Sequence, residues 1–412
     1  MNITNLFKIA MKAIGANKMR TFLTLLGIII GVSSVIIMLA LGNGAKATIK
    51  EELSDIDPAT LAIDPGPDPR SGVKRTPEMR QTITEADYRT IVEENKFLKE
   101  ICPTVSCGAQ LINGSKSYSS NVTGINESYL NINGRKISSG TMFNESDIQA
   151  SAKVCVLGQT QVDNLFENGT DPVGQVIRIN DIPVRVIGVV NKKGRSTFNM
   201  DQDDIVLMPY TTVMKRMLSQ NYYDGIMATA TNQKLIEVAK KDVTDILRQS
   251  HNIKEGDIDD FTVGTLDEGL ASIDMVTNIL TLVLSLIAGI SLLVGGIGIM
   301  NIMYVSVTER TREIGLRMSV GARTVDIMSQ FLIEAILISV TGGLIGVLIG
   351  GGIAYLARFI LMNFTKYHIL ISVVPWNVML AFLVCTITGI FFGWYPAKKA
   401  ANLDPIDALR YE

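Results

Sequence analysis

The chain has 412 residues, 47% of them hydrophobic, with 38 Lys+Arg against 40 Asp+Glu. A mean hydropathy of +0.27 is too high for an ordinary water-soluble domain and points to membrane spans. With two histidines, no C-x-x-C pair and no clustered basic face, the sequence argues against a zinc site and against nucleic-acid binding.

Residues 1–20 read as a cytoplasmic amphipathic helix, with Ile3, Phe7, Ala10 and Ile14 on one face and Lys8 and Lys12 beside it, suited to lie on the lipid of the inner leaflet. Four apolar runs follow, at 21–43, 275–303, 328–356 and 373–395. Each reaches the roughly 20 residues that a helix needs to cross a bilayer. The first is read as a retained anchor, because its apolar stretch exceeds the roughly 7–15 residues of a signal-peptide core. Lys8, Lys12, Lys18 and Arg20 precede the first run, Arg310, Arg312, Arg317 and Arg323 follow the second, and Lys398, Lys399 and Arg410 follow the fourth. Positive charge concentrates on the cytoplasmic side, so both termini and the 304–327 loop face the cytoplasm, and 44–274 lies outside the cell membrane.

That outer segment is a different material. It holds 25 Lys+Arg and 33 Asp+Glu, a net charge of −8 that the whole-chain value of −2 conceals. The polar helical patterns Ala45–Leu53 and Leu266–Asn278 continue the first and second spans outward as a helical stalk. Pro58, Pro65, Pro67 and Pro69 then break the first of them, and 64–78 reads as a loose loop. A helix is expected over Thr84–Asn95, with Asp87 at the capping-box position behind Thr84. Ile101–Ile125 is strand-like, and 153–158, 175–180, 183–190 and 205–208 are β-branched runs between turn residues. Asn180-Asp181 reads as a hairpin turn. Lys234–Arg248 is an amphipathic helix. Together these predict an α+β domain in two lobes, one from 50–125 and 215–270, the other an inserted β lobe at 126–214. Cys102 and Cys107 stand where disulfides form, but their odd spacing puts them on opposite faces of a straight strand. A bond between them and two buried thiols both stay open.

No G-x-x-x-x-G-K-[ST] phosphate loop, G-x-S-x-G elbow or H-E-x-x-H pair occurs, so no catalytic, cofactor-binding or metal-binding residue is assigned. The spans carry almost no ionisable group, which argues against an ion-driven transporter. Glu334, near the cytoplasmic end of the third span, is expected to pair or snorkel there. Small residues recur at four-residue spacing, at Gly27 and Gly31, at Gly342, Gly346 and Gly350, and at Gly389 and Gly393. Such stripes let helices approach closely. In the first span the partner is either a second copy or the same bundle; in the third and fourth it is the same bundle. The 304–327 loop reads as a charged helix ended by Gly321, with Glu309 and Glu313 on one face and Ile314, Met318 and Val320 presented to a groove on a cytoplasmic partner.

The string LVGGIGIMNIM at 293–303, running into TERTREIG at 308–315, resembles the permease signature of MacB-type ABC transporters. So does NKMRTFLTLLGIIIGV at 17–32. Leu157-Gly158, Asp171-Pro172-Val173-Gly174 and Val186-Ile187-Gly188-Val189 are similar to that family's inserted lobe, and YPAKKAA at 395–401 with DPIDALR at 404–410 to its tail. The resemblance runs from end to end. It implies a homodimer (or a pair with a closely related permease) with eight spans in all, and ATP and Mg bound on associated ATPase domains. It also implies a 304–327 coupling element that includes Glu309, Arg310, Arg312, Glu313, Ile314, Gly315 and Gly321. In that family the ATPase is fused ahead of the first span; only 20 residues precede it here, so a separate ABC ATPase subunit is expected. The expected function is export of peptides, drugs or lipid-linked cargo, with a periplasmic adaptor and outer-membrane channel as further partners. Two alternatives use the same mechanics: an FtsX-like transducer that activates an outside hydrolase, and a lipoprotein-release subunit.

Overall fold

The computed structural model describes residues 18–67, 81–167, 169–196, 200–364 and 374–410. The helix expected over 1–20 lies outside these residues except for its last three, and so does most of the loop expected at 64–78. Two compact units emerge. One joins the described residues up to Thr48 with those from Asp274 onward, and the other is Ile49–Ile273.

In its described residues the first unit is built on four long helices, α1 (Lys18–Glu52), α7 (Leu266–Glu309), α9 (Thr324–Phe364) and α10 (Pro375–Ala401). All four are long and apolar enough to cross a membrane. Pro375 opens α10 at a position where its missing N–H breaks no bond. Leu282, Leu286 and Ile290 on α7 are exposed along an apolar surface that only lipid or another membrane helix can cover. The interior is closed by Ile28, Val32, Leu292, Ile299, Phe331 and Cys385.

Glycines set the helix spacing. A Cβ on Gly27 would lie 3.1 Å from Cα of Gly295, and one on Gly31 2.8 Å from Leu292 Cδ1. Gly342, Gly346 and Gly350 of α9 meet α1 at Ile28, Val32 and Ser33, and Gly389 and Gly393 of α10 meet Ser339 and Ala335. The first-span stripe, for which a second copy was one of the two expected partners, is therefore occupied within its own bundle. Backbone-to-backbone approach at Gly27 and Gly295 leaves no room there for a further helix.

Among the described residues the second unit holds ten strands in the order β10-β1-β9-β2-β3-β8-β5-β7-β4, with β6 pairing β2 and β7. The strands are β1 (Thr60–Pro65), β2 (Leu98–Asn113), β3 (Lys116–Ile125), β4 (Ile137–Gly140), β5 (Val154–Leu157), β6 (Val176–Ile179), β7 (Ile182–Val190), β8 (Val206–Pro209), β9 (Gly225–Ala230) and β10 (Phe261–Thr265). Short helices α2 (Glu85–Glu94), α3 (Ser128–Ile132), α4 (Glu145–Gln149) and α5 (Gln159–Leu165) and the longer α6 (Ile236–Ser250) pack around them. Helix α2 opens as the capping-box spacing requires: the Asp87 carboxylate accepts the Thr84 N–H at 2.8 Å and the Thr84 hydroxyl at 2.7 Å. Asn180, at φ +52, makes the two-residue turn between β6 and β7.

The sheet draws the seam between lobes elsewhere than at 125/126. Strand β2 pairs with β9 as far as Thr104 and with β3 from Val105 onward, and β3 pairs with β8. Residues 105–125 thus join the inserted lobe. No turn residue marks the change, because one continuous strand serves both sheets. Cys102 and Cys107 stand as free thiols, Cys102 buried and Cys107 half-buried, in registers opposite Met227 and Val122.

Candidate functional site

The charged loop between the second and third spans is two helices joined at a break. Helix α7 ends at Glu309, Arg310 leaves helical geometry at φ −108 and ψ 13, and α8 runs over Thr311–Ser319. The end of α8 is a Schellman motif. Gly321, at φ +100, donates its N–H to Met318 at 3.0 Å, and Ala322 donates to Arg317 at 3.0 Å. Only glycine takes that backbone conformation without strain. Glu309 and Glu313 therefore lie on different helices. The common face expected of them assumed one continuous helix, which the break at Arg310 removes.

Helix α8 is amphipathic, and its inward stripe is Thr311, Ile314, Gly315 and Met318, the i, i+3, i+4, i+7 positions of one helix face. Ile314 is 2% exposed, and Met318 packs against the same core. Neither is presented to a partner, as was expected of both. Their apolar side chains instead fill the chain's own bundle. Gly315 permits contact with the short helix α11 (Pro405–Arg410), for a Cβ there would fall 2.7 Å from Ala408 Cβ. The outward stripe is Arg312, Leu316 and Val320, four residues apart, with Glu309 and Glu313 exposed beside it. Leu316 is 59% and Val320 84% exposed. Of the residues expected to face a partner, Val320, Glu309, Arg312 and Glu313 do face solvent. Leu316 was missed, although period-3.6 counting from Ile314 separates it from the buried face.

Two arginines of this element turn inward. Arg310 Nη1 lies 3.7 Å from the Glu334 carboxylate, and Arg317 Nη1 donates to Gln330 Oε1 at 2.7 Å while its Nη2 bonds Glu313. Gln330 and Glu334 are 4% and 3% exposed. Glu334 thus pairs, as expected, and its partner is Arg310.

The outer unit holds two features that the sequence did not point to. One is a cleft of about 890 Å³ lined in part by Tyr88, Val92, Tyr210 and Met214. Its Tyr88 and Tyr210 meet each other and the fully buried Tyr223 edge to face, with centroids 5.7–6.1 Å apart. Burial holds the Tyr210 hydroxyl up to about 12. The other is a half-buried charge cluster. His251 Nδ1 lies 2.7 Å from Asp260, its Nε2 lies 3.2 Å from Asp87, and Asp87 also accepts the Ser250 hydroxyl at 2.6 Å. The Asp87 contact raises His251 to about 9, burial opposing and Asp260 assisting. Burial alone would raise the Asp87 carboxyl, but its His251, Ser250 and Thr84 partners together hold it well below the usual carboxylate range.

Residues 21–246 match the MacB-like periplasmic core domain, and residues 285–405 the FtsX-like permease C-terminal domain. The macrolide export ATP-binding/permease protein MacB 2 of Yersinia pestis bv. Antiqua (strain Antiqua) is 40% identical over 98% of this chain and 58% of its own length. MacB of Pectobacterium atrosepticum is 39% identical over 98% of this chain and 60% of its own. The chain thus spans somewhat under two thirds of these relatives. The crystal structure of the periplasmic region of MacB from Actinobacillus actinomycetemcomitans is 26% identical, covers 55% of this chain and 97% of that one, and superposes with a TM-score of 0.46. The chain belongs to the MacB-type permease family, as a multi-pass inner-membrane protein that carries the family's periplasmic core domain between its first and second spans.

Proposed function

We propose that this chain is the permease part of an ABC transporter and that 304–327 couples it to ATP hydrolysis. The nucleotide is bound on an ATP-binding domain outside these 412 residues, which contain no phosphate loop. The observation that carries the reading is the two-sidedness of α8. One face is packed into the bundle, while the other presents Leu316 and Val320 to solvent between Arg312, Glu309 and Glu313. An apolar stripe ringed by charge on a short helix fits a groove of a partner protein. The names of the relatives, which join ATP-binding and permease, support the identity of that partner. Two copies of the chain would carry eight spans, and the cargo belongs to the class of peptides, drugs or lipid-linked molecules.

The test pairs the chain with its ATP-binding domain and introduces Leu316→Asp with Val320→Asp. Loss of co-purification, together with loss of the ATP turnover that the permease stimulates, is the expected result. A double variant that binds and stimulates like the unaltered chain contradicts the reading. The chain without that domain is expected to hydrolyse no ATP above a mock preparation.

A further inference from the structure

Near its cytoplasmic end the third span buries Gln330 and Glu334, one helical turn apart on the same face. Buried polar groups at a membrane helix end are costly unless paired. In the described residues the partners that face them are arginines of the coupling element, one at each end of α8. The two contacts are unequal. Arg317 to Gln330 is a made hydrogen bond of 2.7 Å, whereas Arg310 and Glu334 stand 3.7 Å apart and Glu334 Oε2, buried, accepts no hydrogen bond. Arg310 is also where the backbone leaves helical geometry, so its position can change without unwinding either helix.

From this we infer that Arg310 and Glu334 form a charge latch between the coupling element and the third span. Arg317 and Gln330 hold the far end of α8, and displacement of α8 closes the latch to hydrogen-bond distance. The third span is placed to pass the motion on, because its Gly342, Gly346 and Gly350 seat the first span and its Ser339 and Ala335 seat the fourth. The sequence points to pairing or snorkelling for Glu334 but does not name Arg310 as its partner. The inference rests on the coupling reading only for its consequence; the latch itself can be measured without any ATPase.

The experiment uses the full chain in lipid nanodiscs, with Arg310→Met, Glu334→Gln, their double variant and Arg310→Lys. Amide hydrogen exchange across 311–319 is expected to rise about tenfold in each single variant and no further in the double variant, with Arg310→Lys restoring protection. Exchange that stays within about twofold of the native chain in both single variants, or single effects that multiply in the double, overturns the latch. With the ATP-binding domain added, the same variants should lower kcat for ATP with KM unchanged and leave co-purification intact. The predicted exchange pattern in the latch variants, but no ATP turnover stimulated by the native chain, would instead count against the coupling reading alone.

Discussion

At the scale of single residues, the His251 cluster makes a prediction whose sign is set. His251 is raised from an ordinary 6.5 to about 9 by Asp87 first and Asp260 second. A group raised in the folded state contributes stability that is fully present below its unfolded value and is lost as pH climbs through its folded value. The window is therefore pH 6.5 to about 9. Across it the outer unit should lose up to about 3 kcal/mol. His251→Phe should flatten the dependence. Thermal unfolding followed by circular dichroism between pH 6.5 and 9.5 checks this, and parallel curves for the native and variant chains would contradict it. The residues involved show why the cluster was not legible in sequence. Asp87 reads as a helix-capping residue, which it is, but nothing in the chain near it announces a histidine 164 positions later. The fold alone brings them within 3.2 Å.

Elements were legible where one local signal dominated. The capping box at Thr84 and Asp87, the Asn180-Asp181 turn and the long apolar runs each encode their own geometry, and each element forms there. The 304–327 segment was legible as a charged helical element stopped by Gly321, but not by its faces. The β-branched and charged string 305–313 reads as one continuous helix, because no proline or glycine in it marks the break at Arg310. Deciding which apolar residues point outward needs the neighbours that bury Ile314 and leave Leu316 free. The lobe seam was hidden for a similar reason, since pairing partners of β2 come from distant strands. Glycine stripes give a second prediction at this scale. Gly295 faces Gly27 so closely that a Cβ would lie 3.0 Å from the Ile28 amide nitrogen, which is backbone and cannot swing aside. Gly295→Ala should lower bundle stability by about 1–3 kcal/mol. Gly289→Ala, with nothing within 4 Å, should be near neutral. Thermal denaturation of both variants in the same detergent separates them; equal midpoints would refute the packing argument.

For the whole molecule, the division of charge and polarity follows from the membrane. A segment of net charge −8 stands between the first two spans, and Lys and Arg gather at the opposite membrane face. Four helices with lipid-exposed apolar sides hold a small core in which glycine replaces bulk. Against that bundle, α8 is fastened on one side and open on the other, and the open side is the one proposed to receive the ATP-binding domain. Photo-crosslinking tests this claim most directly. Val320 is replaced by p-benzoylphenylalanine in the full chain, expressed with its ATP-binding domain in native membranes, and Leu286 on the lipid-exposed face of α7 is replaced likewise as the comparison. Irradiation should join the ATP-binding domain covalently to the chain carrying the probe at 320 and not to the one carrying it at 286. No adduct from 320, or equal adducts from both positions, would contradict the account.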